Sequence, residues 1–161
     1  MRAVLSIGSN LGERADYLRG VVAGFGEEVV AVSPLYSTPP WGGVVQEDFL
    51  NAVLVLETAR TPLQLLRAGQ ALEAAACRRR DTRWGPRTLD VDVITCVVDG
   101  SEVRMDSEEL MLPHPRAAER AFVLVPWLAV EPDAVLGGYS VADFVAAVDT
   151  AGITMVAKEW V

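Results

Sequence analysis

Two aspartates, Asp90 and Asp92, stand two apart in LDVDVI, alternating with Leu89, Val91 and Val93. On a strand that spacing sends both carboxylates out of one face, as neighbours. Adjacent like charges repel and raise one of the two pKa values unless a cation sits beside them. A hard cation such as Mg2+ suits the pair, because it takes oxygen ligands and is held by one or two protein carboxylates together with substrate phosphates. A solvated outer face is the plain alternative. The neighbourhood argues for chemistry. Arg78, Arg79, Arg80, Arg83 and Arg87 crowd into ten residues of an otherwise acidic chain. Arginine forks match phosphate oxygens bidentately and stay charged at any working pH. Carboxylates for a metal, beside arginines for an anion, imply a polyphosphate.

Phe49 and Asn51 also fall two apart, in the strand-like run FLNAVLVLE, and share a face. One core ring and one edge amide would account for them singly. Together they make half of a pocket for a flat heterocycle, the ring stacking on its face and the amide reading its edge. His114, the only histidine, lies between prolines in LPHPR and suits either a structural hydrogen bond or a phosphate contact.

The elements that must position these groups follow from the pattern. AVLSI opens as a strand and GSNLGER turns into a helix carrying Leu18, Val21, Val22 and Phe25 at helical spacing. Gly20, Gly24 and Gly26 weaken or shorten that helix. A second strand is expected over Val29 to Tyr36, with Pro34 marking an edge or bulge, before the long loop STPPWGGVVQED. After FLNAVLVLE, Thr61 with Gln64 reads as a capping box opening a helix to about Cys77. Thr88 to Val98 is the aspartate strand, turning at Asp99-Gly100 into an antiparallel neighbour. LPHPRAAERAF begins a short helical region, SVADFVAAV reads as a capped helix, and ITMVAKEW closes as a strand. The order βαββ, hairpin, α, α, β predicts an α+β fold, a ferredoxin-like α/β sandwich with a mostly antiparallel sheet and helices packed together on it.

At 161 residues, 51 % of them hydrophobic, one domain over 1–161 can bury its own core. Its two cysteines form no framework, and Met1-Arg2 leads straight into a strand, which favours the cytoplasm. The longest apolar run, AFVLVPWLAV, is too short to span a bilayer. A net charge of −8 argues against nucleic acid or anionic lipid as a partner.

RWGPRTLDVDVI, from Arg83 to Ile94, resembles the signature of the hydroxymethyl-dihydropterin pyrophosphokinases of folate synthesis. SIGSNLGER, STPPWGG, FLNAV, the Gln70 to Glu73 pair and LPHPRAAERAFVL are similar to that family's other blocks, in its order. The resemblance implies that ATP gives its terminal pyrophosphate to the hydroxymethyl group of a reduced pterin, releasing AMP. It implies two Mg2+ ions on Asp90 and Asp92, with Arg78, Arg80, Arg87 and Arg120 on phosphates. Phe49 and Phe122 would sandwich the pterin, while Asn51, Thr38 and the backbone near Pro40 and Trp41 read its edge. Gln70, Glu73, Trp84, Val93 and His114 fall at nucleotide-side positions, and the loops Thr38 to Asp48 and Arg78 to Gly85 would close as lids. Its partners would then be ATP and the pterin alone, bound by a monomer. Cys77 stands where the family often has glycine, which bears on the opening of the second loop.

Two other classes remain open on the residues alone. A ferredoxin-like regulatory or RNA-reading module would want an exposed aromatic strand face with positive charge, and this chain is acidic. Transfer of a single phosphoryl group to another small alcohol would use the same metal, arginines and ring pocket.

Overall fold

A computed structural model describes residues 1–10, 12–39, 48–77 and 89–161. Along the chain run β1 (Arg2–Ser9), α1 (Arg14–Phe25), β2 (Val29–Val32), β3 (Leu35–Thr38), β4 (Phe49–Glu57), α2 (Pro62–Cys77), β5 (Asp90–Val98), β6 (Ser101–Glu102), β7 (Met105–Asp106) and β8 (Met111–Leu112). They are followed by α3 (Ala121–Val130), β9 (Val135–Leu136), β10 (Tyr139–Ser140), α4 (Val141–Ala147) and β11 (Thr154–Ala157). The main sheet has the order β11-β3-β4-β1-β5-β6, with β2 also on β4, and its pairings are antiparallel. The core β1-α1-β3-β4-α2-β5 is the expected split βαβ arrangement.

The helices do not lie together, as the sequence reading had them, but cover both faces of the sheet. Leu5, Ile7, Leu54, Val91 and Val93 point one way, into a core completed by Leu18, Val21 and Phe25 of α1 and Leu65 of α2. Val4, Val53 and Ile94 point the other way, against Val123, Leu124 and Trp127 of α3 and Val141 of α4. β4 therefore buries both faces, which is why FLNAVLVLE is apolar almost throughout. Two glycines allow close packing on the first face. A Cβ on Gly69 would come within 2.9 Å of Val91 Cγ1, and one on Gly24 within 2.9 Å of Leu72 Cδ2.

Most local signals hold. The capping box forms as read, with Thr61 N–H donating to Gln64 Oε1 (2.9 Å) and Gln64 N–H to Thr61 Oγ1 (3.2 Å). Asp99 (φ 50°) and Gly100 (φ 79°) make the hairpin turn into β6. The second strand is instead two, because Pro34 lacks an N–H and breaks the ladder just after buried Ser33, whose own N–H still donates to the Val53 carbonyl (2.9 Å). There Val53 N–H donates to Ser33 Oγ (2.8 Å), while the Ser33 carbonyl accepts Trp160 Nε1–H (2.8 Å) and ties down the C-terminus. Ser140 starts α4 without a side-chain cap bond. Glu102 docks the β9-β10 hairpin by accepting Gly137 N–H (3.0 Å) and the Thr95 hydroxyl (2.8 Å).

Candidate active site

The strand registers bring the chemistry together on the face that α3 and α4 cover only in part. Gly8 of β1 pairs with Asn51 on one side and Asp90 on the other. One step along, Ser6 pairs with Val53 and Asp92. Across the sheet this gives a row of Asn51, Gly8 and Asp90, with Asp92 in the next row and Ile94 beyond it in the core. Gly8 leaves a notch between amide and acid. A Cβ there would lie 2.6 Å from Asn51 Nδ2.

Over this row opens a cavity of about 700 Å³. Its walls include Ser6, Gly8, Thr38, Phe49, Asn51, Asp90, Asp92, Arg120 and Phe122. Thr38 ends β3 opposite Phe49, and its hydroxyl donates to Asn51 Oδ1 at 2.8 Å. Both side chains are buried, so the bond fixes the amide with its oxygen engaged and its Nδ2 hydrogens as the donors it can still offer. Phe49 and Phe122, from β4 and α3, supply the apolar walls.

β5 carries a bulge just past the aspartates, since Leu5 pairs with Val93 and Val4 with Thr95, which leaves Ile94 unpaired. The Ile94 carbonyl instead accepts His114 N–H at 2.8 Å. That bond pins the LPHPR segment beside Asp92. There a second cavity of about 260 Å³ opens, lined by Asp92, Val93, His114, Leu66, Leu110 and Met111 among others. Asp92 lines both cavities. Arg116 N–H donates to His114 Nδ1 (3.2 Å). Burial lowers the His114 pKa, with Arg120 and Arg116 pushing the same way and Asp92 opposing. The neutral ring carries its proton on Nε2, a hydrogen-bond donor.

Arg120 is held by its backbone. Its N–H donates to the Ala117 carbonyl (3.1 Å) and its own carbonyl accepts Val123 and Leu124 N–H groups (both 3.0 Å). Its guanidinium lies 3.7 Å from Asp92 Oδ2 and 5.5 Å from the centre of the Phe122 ring. Gln70 and Glu73 line neither cavity. Gln70 accepts a bond from Arg67 (3.0 Å), and Glu73 accepts Val91 N–H (3.3 Å), bracing the strand between the two aspartates. Pro40, Trp41, Arg78, Arg80, Trp84 and Arg87 lie outside the described residues, as do 40–47 of the first loop and the whole of the second.

Magnesium fits what is present. Asp90 and Asp92 are half-buried and open to one cavity, and no group of three or more His, Cys, Asp or Glu side chains suited to a metal occurs among the described residues. Two carboxylates with room for water and phosphate suit a hard ion rather than a closed Cys/His site.

Sequence reasoning missed the far wall of the larger cavity, made by Arg116, Glu119, Asp149, Ala151 and Ile153. It also gave Ser6 no part and read Gly8 with Gly12 as allowing the turn into α1, whereas Gly8 lies inside β1 between Asn51 and Asp90 and Gly12 (φ 71°) serves the turn; the signal was a glycine within an apolar strand.

Residues 4–132 match the family model of 7,8-dihydro-6-hydroxymethylpterin-pyrophosphokinase, HPPK. The chain belongs to the HPPK family. It is 45 % identical over 159 residues to the 2-amino-4-hydroxy-6-hydroxymethyldihydropteridine pyrophosphokinase of Methylorubrum extorquens, covering 96 % of this chain and 98 % of that one. The Mycobacterium leprae HPPK is 54 % identical over 143 residues, 84 % of this chain and 74 % of that one. The fold matches a crystal structure of Plasmodium falciparum HPPK-DHPS with pterin and p-hydrobenzoate at a TM-score of 0.64, over 91 % of this chain and 44 % of that one. The chain thus spans less than half of the Plasmodium protein. At 11 % identity this likeness concerns the fold alone.

Proposed function

We propose that this pyrophosphokinase transfers the terminal pyrophosphoryl group of ATP to the hydroxymethyl oxygen of 6-hydroxymethyl-7,8-dihydropterin, releasing AMP. The observation that carries the reading is Asp92 on the border of two cavities, one walled by two phenylalanines and an oriented amide, the other beside His114. The pterin fits the first cavity, stacked between Phe49 and Phe122, with Thr38-bound Asn51 donating to its edge. ATP enters by the second, near Val93 and His114, so that the alcohol and the β-phosphorus meet over the aspartates.

Asp90 and Asp92 would hold two Mg2+ ions, which when bound neutralise phosphate charge and make the β-phosphorus more electrophilic. Arg120 and the His114 Nε2–H then face the phosphates as donors. Arg78, Arg80 and Arg87 would serve the same charge and Trp84 the nucleotide side, with Gln70 and Glu73 of α2 joining it from outside the two cavities. The backbone near Pro40 and Trp41 completes the pterin edge. With both loops closed, water is kept from the β-phosphorus and the transfer is protected from hydrolysis.

One domain over residues 1–161 carries this activity, as a cytoplasmic monomer whose partners are ATP and the pterin, without nucleic acid or membrane. The acidic balance and the cysteine usage support that placement. No helix among the described residues is long and apolar enough to cross a membrane. Product analysis tests the reaction: with ATP, Mg2+ and the pterin, AMP should appear in equal amount to pterin diphosphate. Accumulation of ADP would instead mean single phosphoryl transfer.

A further inference from the structure

With the larger cavity taken as the pterin site and the aspartates as the metal site, we propose that Arg120 is a latch shared by both. The same guanidinium neutralises Asp92 and covers the ring of Phe122 while the substrates are absent. Metal-nucleotide and pterin each have to displace it, and the ligand that does so first spares the other the work.

Three features of the geometry carry this. Both contacts belong to one side chain, 3.7 Å from Asp92 Oδ2 and 5.5 Å from the Phe122 centroid, and all three residues line one cavity. The Arg120 backbone is bonded on both sides, so the exchange is a rotation of the side chain and not a movement of α3. The Asp92 contact is loose. At 3.7 Å it lies beyond hydrogen-bond distance, and the Asp92 side chain is 41 % exposed, so a divalent ion with a net charge of two displaces a single guanidinium readily.

Once displaced from Asp92, the guanidinium is repelled by the cation and drawn to the phosphate oxygens, where its planar fork is bidentate. That movement uncovers the Phe122 ring, whose cation–π contact a stacking pterin must replace. Run in reverse, a pterin settling on Phe122 lifts the cation from Asp92 and opens the carboxylate to metal. Linkage requires the two effects to be equal in size.

The test is a coupling measurement. Pterin affinity is read by fluorescence titration with and without Mg2+ and α,β-methylene-ATP, in the wild type and in Arg120→Ala. In the wild type the nucleotide should tighten pterin binding by about tenfold, within the usual range for coupled sites. In Arg120→Ala the factor should fall to about two or less, chiefly because pterin binds better without nucleotide. Mn2+ binding to the nucleotide-free protein, read by electron paramagnetic resonance, should tighten in the same variant. Arg120→Lys keeps the charge near Asp92 but cannot lie flat on the ring; it should bind pterin alone more tightly than wild type while leaving Mn2+ affinity near the wild-type value. It also carries the test if Arg120→Ala does not fold. An undiminished coupling factor in Arg120→Ala overturns the latch and leaves the site assignment standing. A wild type that binds no pterin overturns the site assignment as well.

Discussion

Gly8→Ala should weaken the proposed pterin site through Asn51. The added methyl carbon would stand 2.6 Å from Asn51 Nδ2, so the amide must withdraw by about 0.8 Å to reach ordinary contact. It cannot do so in place, because withdrawal from Gly8 on β1 carries it toward β3, where Thr38 Oγ1 already stands 2.8 Å from Oδ1; the amide must turn instead and lose the alignment of that bond. Each neutral hydrogen bond contributes roughly 0.5–1.5 kcal/mol net, and one or two to the pterin edge depend on this amide, which gives a loss of affinity of about tenfold. Stability should fall less than affinity, since removing a glycine from a strand recovers roughly 0.5–1 kcal/mol. Pterin titration and urea unfolding measure the two separately. The decisive comparison repeats the substitution in an Asn51→Ala background, where the methyl meets no amide and should cost less than about twofold. A tenfold loss in both backgrounds would show that the methyl simply fills the cavity and would refute the reasoning.

Thr61→Ala removes one arm of the capping box on α2 and should lower the unfolding free energy by about 1 kcal/mol, seen in the urea midpoint, with turnover unchanged. Glu28 has its pKa lowered chiefly by the Thr58 hydroxyl and then by Arg60, against some burial. Its folded form therefore binds the proton less readily than its unfolded form, so its stabilisation is fully present above the unfolded value of about 4.5 and is lost as pH falls below that, through the lower folded pKa. Glu28→Gln should accordingly lower the melting temperature more at pH 7 than at acid pH; an equal drop at both would remove the charge from the explanation.

What the sequence discloses here is what local physics controls. The alternation of Asp90 and Asp92 with valines, the Thr61-Gln64 box and the Asp99-Gly100 turn each act over a few residues, and each is found as read. The placement of the helices on two faces was legible too, in the run FLNAVLVLE, which leaves β4 no solvated side, although pairing the helices on one face overlooked it. The far wall was not legible. Asp149, Ala151 and Ile153 reach the cavity because β11 returns to pair with β3, more than a hundred residues earlier in the chain, and no local periodicity encodes that return. The part played by Gly8 likewise depends on the register that sets it between Asn51 and Asp90.

The central claim is that Asp90 and Asp92 hold divalent ions between the pterin and the nucleotide. Anomalous diffraction from a crystal grown with Mn2+ and α,β-methylene-ATP tests it directly. Two peaks are expected within about 2–2.3 Å of carboxylate oxygens of these residues. Manganese bound to the nucleotide elsewhere, with both aspartates facing only solvent, would contradict the account.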